Sequence, residues 1–196
     1  MARILVTGSS GFIGKHLMAS MPHAIPCDVD TQSVEGPFDG IIHLAAVSRV
    51  RDAEADRIQC LETNIMLTAR LLEWKPRWFI FASSCEKPHN VYGLSKRVAE
   101  DYIRLRQPKH IILRITNVYG PGMNEDKVLP RIRRGEVKAV DDATFPFEHI
   151  HVSDVCEQIL YAVKRFDEPA FKQYTMKLAT GIAHDYEDLV DVATSY

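Results

Sequence analysis

The stretch that decides the fold lies near the start of the chain, where RILVT (3–7) runs directly into GSSGFIG (8–14). The first part is a short, mostly aliphatic run, which predicts a buried β-strand. Apolar residues with helical periodicity begin at Phe12 and continue to about Met21. A strand, a turn with glycines three residues apart and a helix start form, in this order, the context that a dinucleotide-binding fingerprint requires.

Each glycine of this turn has its own physical task. Gly8 permits the tight turn, Gly11 lets the backbone approach a pyrophosphate, and Gly14 allows close packing of the helix on the strand. The helix start adds free N–H groups and the positive end of the helix dipole. The alternative, a glycine-rich turn without a ligand, fits these flanks less well. The expected cofactor contacts in this segment are Gly8, Ser10, Gly11, Phe12, Ile13 and Gly14.

An acidic residue about 20 positions further on is expected to bind the ribose hydroxyls of the adenosine. Asp28 lies 20 positions after Gly8, at the end of the predicted second strand, and Asp30 lies 22 positions after it. A carboxylate there accepts from the 2′-hydroxyl and repels a 2′-phosphate, which favours NAD over NADP without excluding NADP. The alternative is an ordinary aspartate in a turn.

Beyond this first unit, short apolar runs alternate with segments of helical periodicity. The predicted strands cover 3–7, 23–27, 40–44, 77–82, 109–115 and 172–178, and the predicted helices cover 12–21, 52–74, 91–106, 153–165 and 185–195. Prolines and glycines predict irregular structure over 117–150. We therefore expect an α/β fold, a doubly wound parallel sheet of the Rossmann type, as one domain over 1–196. Ligands should bind at the carboxyl ends of the strands.

Composition excludes several classes of protein. The 196 residues include 24 Lys and Arg and 26 Asp and Glu, so the net charge of −2 argues against a nucleic-acid partner. No apolar stretch approaches the length of a membrane-spanning helix, and the start of the chain does not fit a signal peptide. The cysteines at 27, 60, 85 and 156 form no C-x-x-C pair. We therefore expect a cytoplasmic protein without membrane association.

Tyr92 and Lys96 lie four positions apart in a predicted helix, so both side chains share one helical face. A nearby ammonium and the positive charge of an oxidised nicotinamide would lower the pKa of the phenol, which could then act as a base or an acid. Lys96 can also bind the nicotinamide ribose. Ser83-Ser84 closes the preceding predicted strand, where a hydroxyl could donate to a substrate oxygen. The alternative for the Tyr-Lys pair is a solvated helix face.

At this point the sequence resembles the extended short-chain dehydrogenase/reductases, the NAD-dependent epimerase/dehydratase family. The resembling segments are TGSSGFIG (7–14), HLAA (43–46), ETN (62–64), FASS (81–84), YGLSK (92–96), LRITNVYGPG (113–122), HIHVSDV (149–155) and YTMKLATG (174–181). The resemblance implies catalytic Ser84, Tyr92 and Lys96, with Asn64 as a supporting member. It also implies a homodimer through the helices that carry Asn64 and Tyr92. The implied cofactor contacts are the glycine turn, the strand-end acid, the HLAA residues Leu44, Ala45 and Ala46, and both Tyr92 and Lys96.

The chain departs from the family pattern between its first helix and the HLAA strand. The family has two βα units there, but only 26 residues separate Gly14 from Gly40. One unit is therefore expected to be missing. Either the ribose-binding strand survives, or the next strand does, whose Asp-aliphatic pair (here Asp28-Val29) flanks the adenine. Asp28 is a cofactor contact under both interpretations, whereas a preference for NAD follows only from the first.

Three further departures concern the substrate side. Tyr92 follows Ser84 by only 8 positions, which predicts a more open site. Phe147 occupies the position of an arginine that holds the diphosphate in family members acting on sugar nucleotides, although Asn117, another substrate-side match, is retained. The chain stops soon after the last resembling segment. We therefore expect a small C-terminal substrate lobe, mainly 117–150 and 168–196, with Ser84, Asn117 and Phe147 facing the substrate.

The function that these residues favour is an NAD(P)-dependent oxidoreductase of the epimerase/dehydratase type. Hydride would pass between the nicotinamide and a carbinol or ketone carbon, most simply of a sugar nucleotide. One alternative is a reductase or dehydrogenase of a smaller carbonyl compound, and another is a non-catalytic NAD(P)-sensing protein. Dehydration is only weakly supported, because Cys85 replaces the aspartate that sugar dehydratases carry before Glu86. His149 and His151 have no carboxylate or cysteine cluster to complete a metal site, so no metal is expected.

Overall fold

The computed structural model describes residues 2–28, 34–137, 148–168, 170–181 and 186–195. Its strands are β1 (Ile4–Thr7), β2 (Ile25–Cys27), β3 (Gly40–His43), β4 (Trp78–Ser84), β5 (His110–Ile115), β6 (Asn117–Tyr119), β7 (His149–His151) and β8 (Tyr174–Leu178). Six of them form one sheet in the order β2-β1-β3-β4-β5-β8, and every neighbouring pair is parallel. This is the predicted Rossmann-type sheet.

Helices cover both faces of this sheet. They are α1 (Phe12–Ser20), α2 (Val50–Ala55), α3 (Arg57–Leu61), a π-helical turn (Glu62–Met66), α4 (Leu67–Glu73), α5 (Val91–Arg106), α6 (Val128–Arg133), α7 (Val152–Arg165) and α8 (Tyr186–Thr194). The apolar residues of α1 and α7 belong to one core cluster, and those of α4 and α5 belong to the cluster on the opposite face.

Strand alternation divides the apolar residues of β5 between these two clusters. Ile111 and Leu113 pack towards α1 and α7, whereas Ile112 packs towards α4 and α5. All three side chains are fully buried. A strand with apolar residues on both faces is typical of a parallel sheet covered by helices on both sides.

The structure differs from the predicted elements in two places. The helix predicted over 52–74 is divided into α2, α3, the π-helical turn and α4, and the side chain of Asp56 caps α3 by accepting from the backbone N of Gln59 at 2.9 Å. The prediction of irregular structure over 117–150 is wrong for much of its described part. There β6 pairs with β7 in parallel, and α6 lies between them in the chain.

The connection from α1 to β3 is short, as the residue spacing predicts. In its described part it contains β2, which pairs directly with β1 through three residues. Val29 and Asp30 lie outside the described residues. The surviving strand therefore occupies the place next to β1 in the sheet.

A third, smaller cluster joins α6 and α8 and includes Met123, Leu129 and Leu189. Phe12, the first residue of α1, packs against this cluster, so the cluster is attached to the helix that follows the glycine turn. Both helices lie in the ranges predicted for the substrate-side lobe. No helix in the described part of the chain is long and apolar enough to cross a membrane.

Candidate active site

The glycine turn is held against the loop that follows β3. Gly8 has φ +70°, and a Cβ at this position would lie 2.6 Å from the backbone N of Ala45. A Cβ on Gly14 would lie 2.1 Å from the carbonyl oxygen of Gly8. Both approaches are too close for any side chain. The glycines therefore bring the HLAA residue Ala45 and the start of α1 to one place, at the carboxyl ends of β1 and β3.

The start of α1 suits an anionic ligand. Gly11 is the N-cap residue, and no side chain caps the helix. The N-terminal N–H groups and the positive end of the helix dipole are a suitable cradle for a phosphate. The tight backbone contacts at Gly8 and Gly14 and this uncapped helix start fit the pyrophosphate of a dinucleotide.

Asp28 lies beside the same turn. Its Oδ1 accepts from the backbone N of Ser10 at 3.0 Å and lies 3.5 Å from the Oγ of Ser9. The carbonyl oxygen of Cys27 accepts from the backbone N of Ser9 at 3.2 Å, which joins the end of β2 to the turn. The exposed carboxylate therefore stands at the rim of the predicted cofactor site.

A chain of buried polar side chains connects β1 with the π-helical turn. His43 Nδ1 lies 2.6 Å from Thr7 Oγ1, and its Nε2 lies 2.9 Å from Thr68 Oγ1. Thr68 Oγ1 donates to the carbonyl oxygen of Asn64 at 2.8 Å. Burial, with a smaller contribution from the positive charge of Lys96, lowers the pKa of His43 to about 3, so the imidazole is neutral. Sequence reasoning missed this chain, although a histidine that ends the buried run GIIH was its visible signal.

Asn64 lies in the π-helical turn and is almost completely buried. Its Oδ1 accepts from the backbone N of Val47 at 2.9 Å, and its Nδ2 donates to the carbonyl oxygen of Val47 at 3.1 Å. Nδ2 also donates to Ser95 Oγ at 2.9 Å. One amide thus joins the loop after β3 to the helix that carries Tyr92 and Lys96.

Tyr92 and Ser84 face each other across the short loop between β4 and α5. Burial raises the pKa of Tyr92, and this outweighs the lowering effect of its hydrogen bond with Ser84. The sequence predicts a lowered pKa for this tyrosine, whereas in the structure its pKa is raised. The reason is that the phenol is desolvated and lies near the carboxylate of Glu86.

Lys96 lies beneath this pair and is 2% exposed. Its Nζ donates to the carbonyl oxygen of Ala82 at 2.9 Å and lies 4.8 Å from the centre of the Phe81 ring. Burial lowers the pKa of Lys96 to about 8. The ammonium is therefore held at the end of β4, on the same helix as Tyr92.

Glu100 anchors α5 to the sheet. Its buried carboxylate accepts from Ser83 Oγ at 2.5 Å and from Nε of Arg114 at 2.9 Å. Arg97 and Arg104 donate to it from within the same helix. Burial alone would raise the pKa of Glu100, but the hydrogen bonds from Arg114, Ser83 and Arg104 hold it at about 2. Sequence reasoning missed this cluster as well.

The remaining predicted positions are less informative. Asn117 is exposed at the start of β6, where it pairs with His149. Phe147 lies outside the described residues. Within the described part of the chain, no three metal-ligating side chains converge. Thus the structure brings Ser84, Tyr92 and Lys96 to the carboxyl end of β4 and the start of α5, while the proposed substrate contacts remain predictions.

Comparison with known proteins identifies the family. A sequence model of the NAD dependent epimerase/dehydratase family matches residues 27–176, which is more than half of the chain. The protein belongs to this family. The match begins after the glycine turn, so the dinucleotide fingerprint is an observation separate from the match.

Relatives and a solved structure agree with this assignment. Ceramide reductase from Caulobacter vibrioides is 25% identical over 80% of this chain and 59% of that protein. CDP-abequose synthase from Salmonella typhimurium is 24% identical over 92% of this chain and 76% of that protein. The structure of MoeE5 in complex with UDP-glucose and NAD has a TM-score of 0.80 at 25% identity and covers 97% of this chain and 80% of that chain.

These findings confirm three predictions. The family is the one that the motifs resemble, and the sheet is of the Rossmann type. The relatives carry the names of epimerases, dehydratases, reductases and other enzymes of this kind, as predicted. The family is NAD-dependent, in agreement with the predicted cofactor. The chain spans 59% of the length of ceramide reductase, so the activity of the whole protein is a matter for proposal.

Proposed function

We propose that the protein is an NAD-dependent oxidoreductase that exchanges hydride with a carbinol or ketone carbon of a sugar nucleotide. The observation that carries this proposal is the position of Ser84, Tyr92 and Lys96 at the carboxyl end of β4, beside a turn that fits a pyrophosphate. The names of two similar proteins, CDP-abequose synthase and MoeE5 in complex with UDP-glucose and NAD, support the substrate class.

Each of these three residues has one proposed task. Tyr92 moves the proton of the substrate hydroxyl, and Ser84 donates to the same oxygen. Lys96 binds the nicotinamide ribose, and its positive charge favours the phenolate of Tyr92. When bound, the nicotinamide supplies the carbon that gives or takes the hydride. Asn64 positions Lys96 and Tyr92 through Ser95.

For the adenosine half we propose Asp28, with Val29 beside it, and NAD in preference to NADP. The carboxylate lies 3.0 Å from the backbone N of Ser10 at the rim of the turn. A 2′-phosphate placed there would meet a negative charge, whereas a 2′-hydroxyl could donate to it. The place of β2 directly beside β1 supports the interpretation that the ribose-binding strand survives.

We also propose a homodimer. Exposed apolar side chains lie on α3, on the π-helical turn that carries Asn64 and on α5, which carries Tyr92: Ile58, Met66, Leu94, Val98 and Leu105. On α5, Leu94, Val98 and Leu105 follow a four- and seven-residue spacing and so form one stripe. A second copy of the chain is the proposed occupant, because a twofold axis would place the stripe of one copy against the same stripe of the other. The four cysteines, all within the described residues, form no disulfide, which favours the cytoplasm as the compartment.

A second candidate is a reductase of a carbonyl compound that is not a sugar nucleotide. The similarity to ceramide reductase favours it, as does the short loop between Ser84 and Tyr92. Phe147 in place of an arginine points in the same direction, because a diphosphate would lose a charge-assisted contact.

The purified protein should be denatured, and any released nucleotide identified by mass spectrometry. Near-stoichiometric NAD supports an epimerase or dehydratase that regenerates its cofactor, and a released sugar nucleotide identifies the substrate class. An empty protein that binds NAD(H) on titration is then assayed with sugar nucleotides and small ketones, and turnover of ketones alone favours the second candidate. Failure to bind NAD(H) and NADP(H) would overturn the enzyme proposal. NAD(H) binding without turnover, together with NAD-dependent capture of a partner, would favour the sensing protein.

A further inference from the structure

A charged cavity lies at the sheet edge formed by β5 and β8, apart from the glycine turn. Its volume is about 380 Å³, and it is lined by Cys85, Arg97, Arg114, Thr116, Glu148 and Lys177. None of these residues has a task in the proposed hydride transfer.

The cavity opens on the α5 face of the sheet. Arg114 follows Ile112 by two positions in β5 and so points to the same side as that residue, towards α4 and α5. Lys177 alternates with Leu178, which packs on the opposite face. Ser83 points towards Glu100, so its neighbour Ser84 points away from this face. The Ser84 hydroxyl therefore does not line the cavity, although Cys85, which directly follows Ser84, does.

Positive charge dominates the lining. Three of the six side chains are cationic and one is a carboxylate. Glu148 forms an ion pair with Lys177. Behind the lining, the buried Glu100 receives Arg114 through Nε and Nη2 and Arg97 through Nη1. Arg97 also donates to the carbonyl oxygen of Glu86 through Nη2 and to Ser83 Oγ through Nη1. Because a guanidinium carries five N–H donors, both arginines still retain donors for a further acceptor.

The pKa of the Cys85 thiol responds to all of these charges. Burial raises its pKa, the cations Lys177, Arg97 and Arg114 lower it, and the Glu148 carboxylate raises it. The same four charged groups that line the cavity therefore act on one sulfur atom, which is partly accessible.

We propose that this cavity binds a small oxyanion, a carboxylate or a phosphate group, at a site distinct from that of the cofactor pyrophosphate. Lys177 and the outer donors of Arg97 and Arg114 would bind its oxygens. Charge-assisted hydrogen bonds from two rigid guanidinium groups suit a planar or tetrahedral oxyanion. Glu148 opposes the ligand by occupying Lys177 and adding a negative charge.

The probes are sodium phosphate and sodium succinate, each titrated at an ionic strength held constant with sodium chloride. The readout is the rate at which iodoacetamide alkylates Cys85, followed by peptide mass spectrometry, with and without saturating NAD. We expect a saturable decrease of this rate that persists with NAD present, since NAD blocks anion binding at the glycine turn. The probe that protects at lower concentration identifies the oxyanion class.

Variants of opposite expected sign make the test specific. Lys177→Met should reduce the affinity for the protecting anion roughly tenfold, since it removes one charge-assisted contact. Glu148→Gln should increase this affinity, because Lys177 loses its ion-pair partner and the opposing negative charge is removed. Lys172→Met is the matched control, an exposed lysine just before the same strand, and should leave protection unchanged.

Protection that does not saturate, or that Lys177→Met and Lys172→Met reduce equally, would overturn the proposal and indicate general screening by salt. The outcome is separable from the proposed function, because protection is also measured without NAD. Protection in a protein that neither binds NAD(H) nor turns over substrate would support the anion cavity and overturn the proposed oxidoreductase function.

Discussion

At the scale of single residues, the site depends on a few positions where the backbone or burial leaves no choice. Gly8 adopts φ +70° directly against Ala45, and His43 is enclosed between two threonine hydroxyls. Both residues lie at the carboxyl ends of strands, where the loops that would contact a cofactor begin. Changes at these positions should therefore alter binding and stability in ways that the geometry specifies.

Gly8→Ala should abolish measurable NAD binding and destabilise the fold, because its Cβ would lie 2.6 Å from the backbone N of Ala45. The control is Gly122→Ala, which also has positive φ (+82°) but open space around the added methyl. We expect the control to cost about 1–2 kcal/mol from backbone strain alone and to retain NAD affinity. Calorimetric titration with NAD and urea unfolding of both variants give the comparison. Equal loss of NAD affinity in both would contradict a specific contact at Gly8.

His43 should make the protein less stable in mild acid. Its pKa is about 3 in the folded state, against 6.5 as the ordinary value, so the unfolded chain binds the extra proton between these limits. Stability is complete above pH 6.5 and falls as the pH decreases towards 3. Between pH 6.5 and 5 this group alone should remove about 2 kcal/mol of the free energy of unfolding. Urea unfolding across this range should show a shallower pH slope in His43→Asn, and an unchanged slope would contradict a neutral, buried imidazole.

At the scale of elements, α5 is the part that the site depends on most. It carries Tyr92, Lys96 and Glu100 on the side that faces the sheet, and Glu100 receives donors from β4, from β5 and from α5 itself. This carboxylate fixes the helix relative to the strand end that carries Ser84. An error in the seating of α5 would therefore move the proposed base relative to the proposed donor.

Glu100→Gln should destabilise the protein by about 3–5 kcal/mol, because it leaves the surrounding arginines without their buried counter-charge. Glu73→Gln is the control, since Glu73 pairs with Arg106 at 3.5 Å on the surface and should matter by less than about 1 kcal/mol. Urea unfolding at pH 7 measures both. A similar small cost in the two variants would show that the Glu100 cluster does not anchor the helix.

The elements also show how far the sequence could be used to predict the structure. The six strands of the sheet and the helices at 12–20, 91–106 and 152–165 follow from apolar periodicity, which burial enforces. The π-helical turn does not, because it is defined by backbone hydrogen bonds around Asn64 that side-chain patterns do not reveal. The pair β6 and β7 is three residues long in each strand and lies among prolines and glycines, so no periodicity could develop.

The candidate site divides in the same way. The glycine turn, Ser84, Tyr92 and Lys96 are visible as local motifs, and the fold brings them to one end of the sheet. The polar chain through His43 and the cluster around Glu100 join residues far apart in sequence. Their partners depend on which strands are neighbours. The direction of the pKa shift of Tyr92 depends on how deeply the phenol is buried, and the spacing of Tyr92 and Lys96 does not predict that burial.

At the scale of the whole molecule, one sheet positions the three proposed regions. The glycine turn and the proposed catalytic residues lie at the carboxyl ends of the strands. The proposed anion cavity adjoins them, at the carboxyl ends of β4 and β5 and beside β8, and the apolar stripe lies on the outside of α5.

Leu94→Lys combined with Val98→Lys should produce a monomer, since it places two charges in the stripe, where the side chains are 47% and 40% exposed. Tyr161→Lys on α7, with a 51% exposed side chain on the other face, is the control and should remain a dimer. Sedimentation velocity at several protein concentrations distinguishes the two. A wild-type protein that is monomeric throughout, or a dimer that survives in the double variant, would contradict the proposed interface.

The most direct test of the central claim is the turnover of Tyr92→Phe, which removes one hydroxyl from the proposed proton-transfer residue. We predict an NAD(H) affinity close to that of the wild type. Turnover should fall at least about 100-fold on the sugar nucleotide or ketone that the wild type converts. Tyr102→Phe, on the same helix, should retain turnover. Turnover undiminished in Tyr92→Phe would contradict the account.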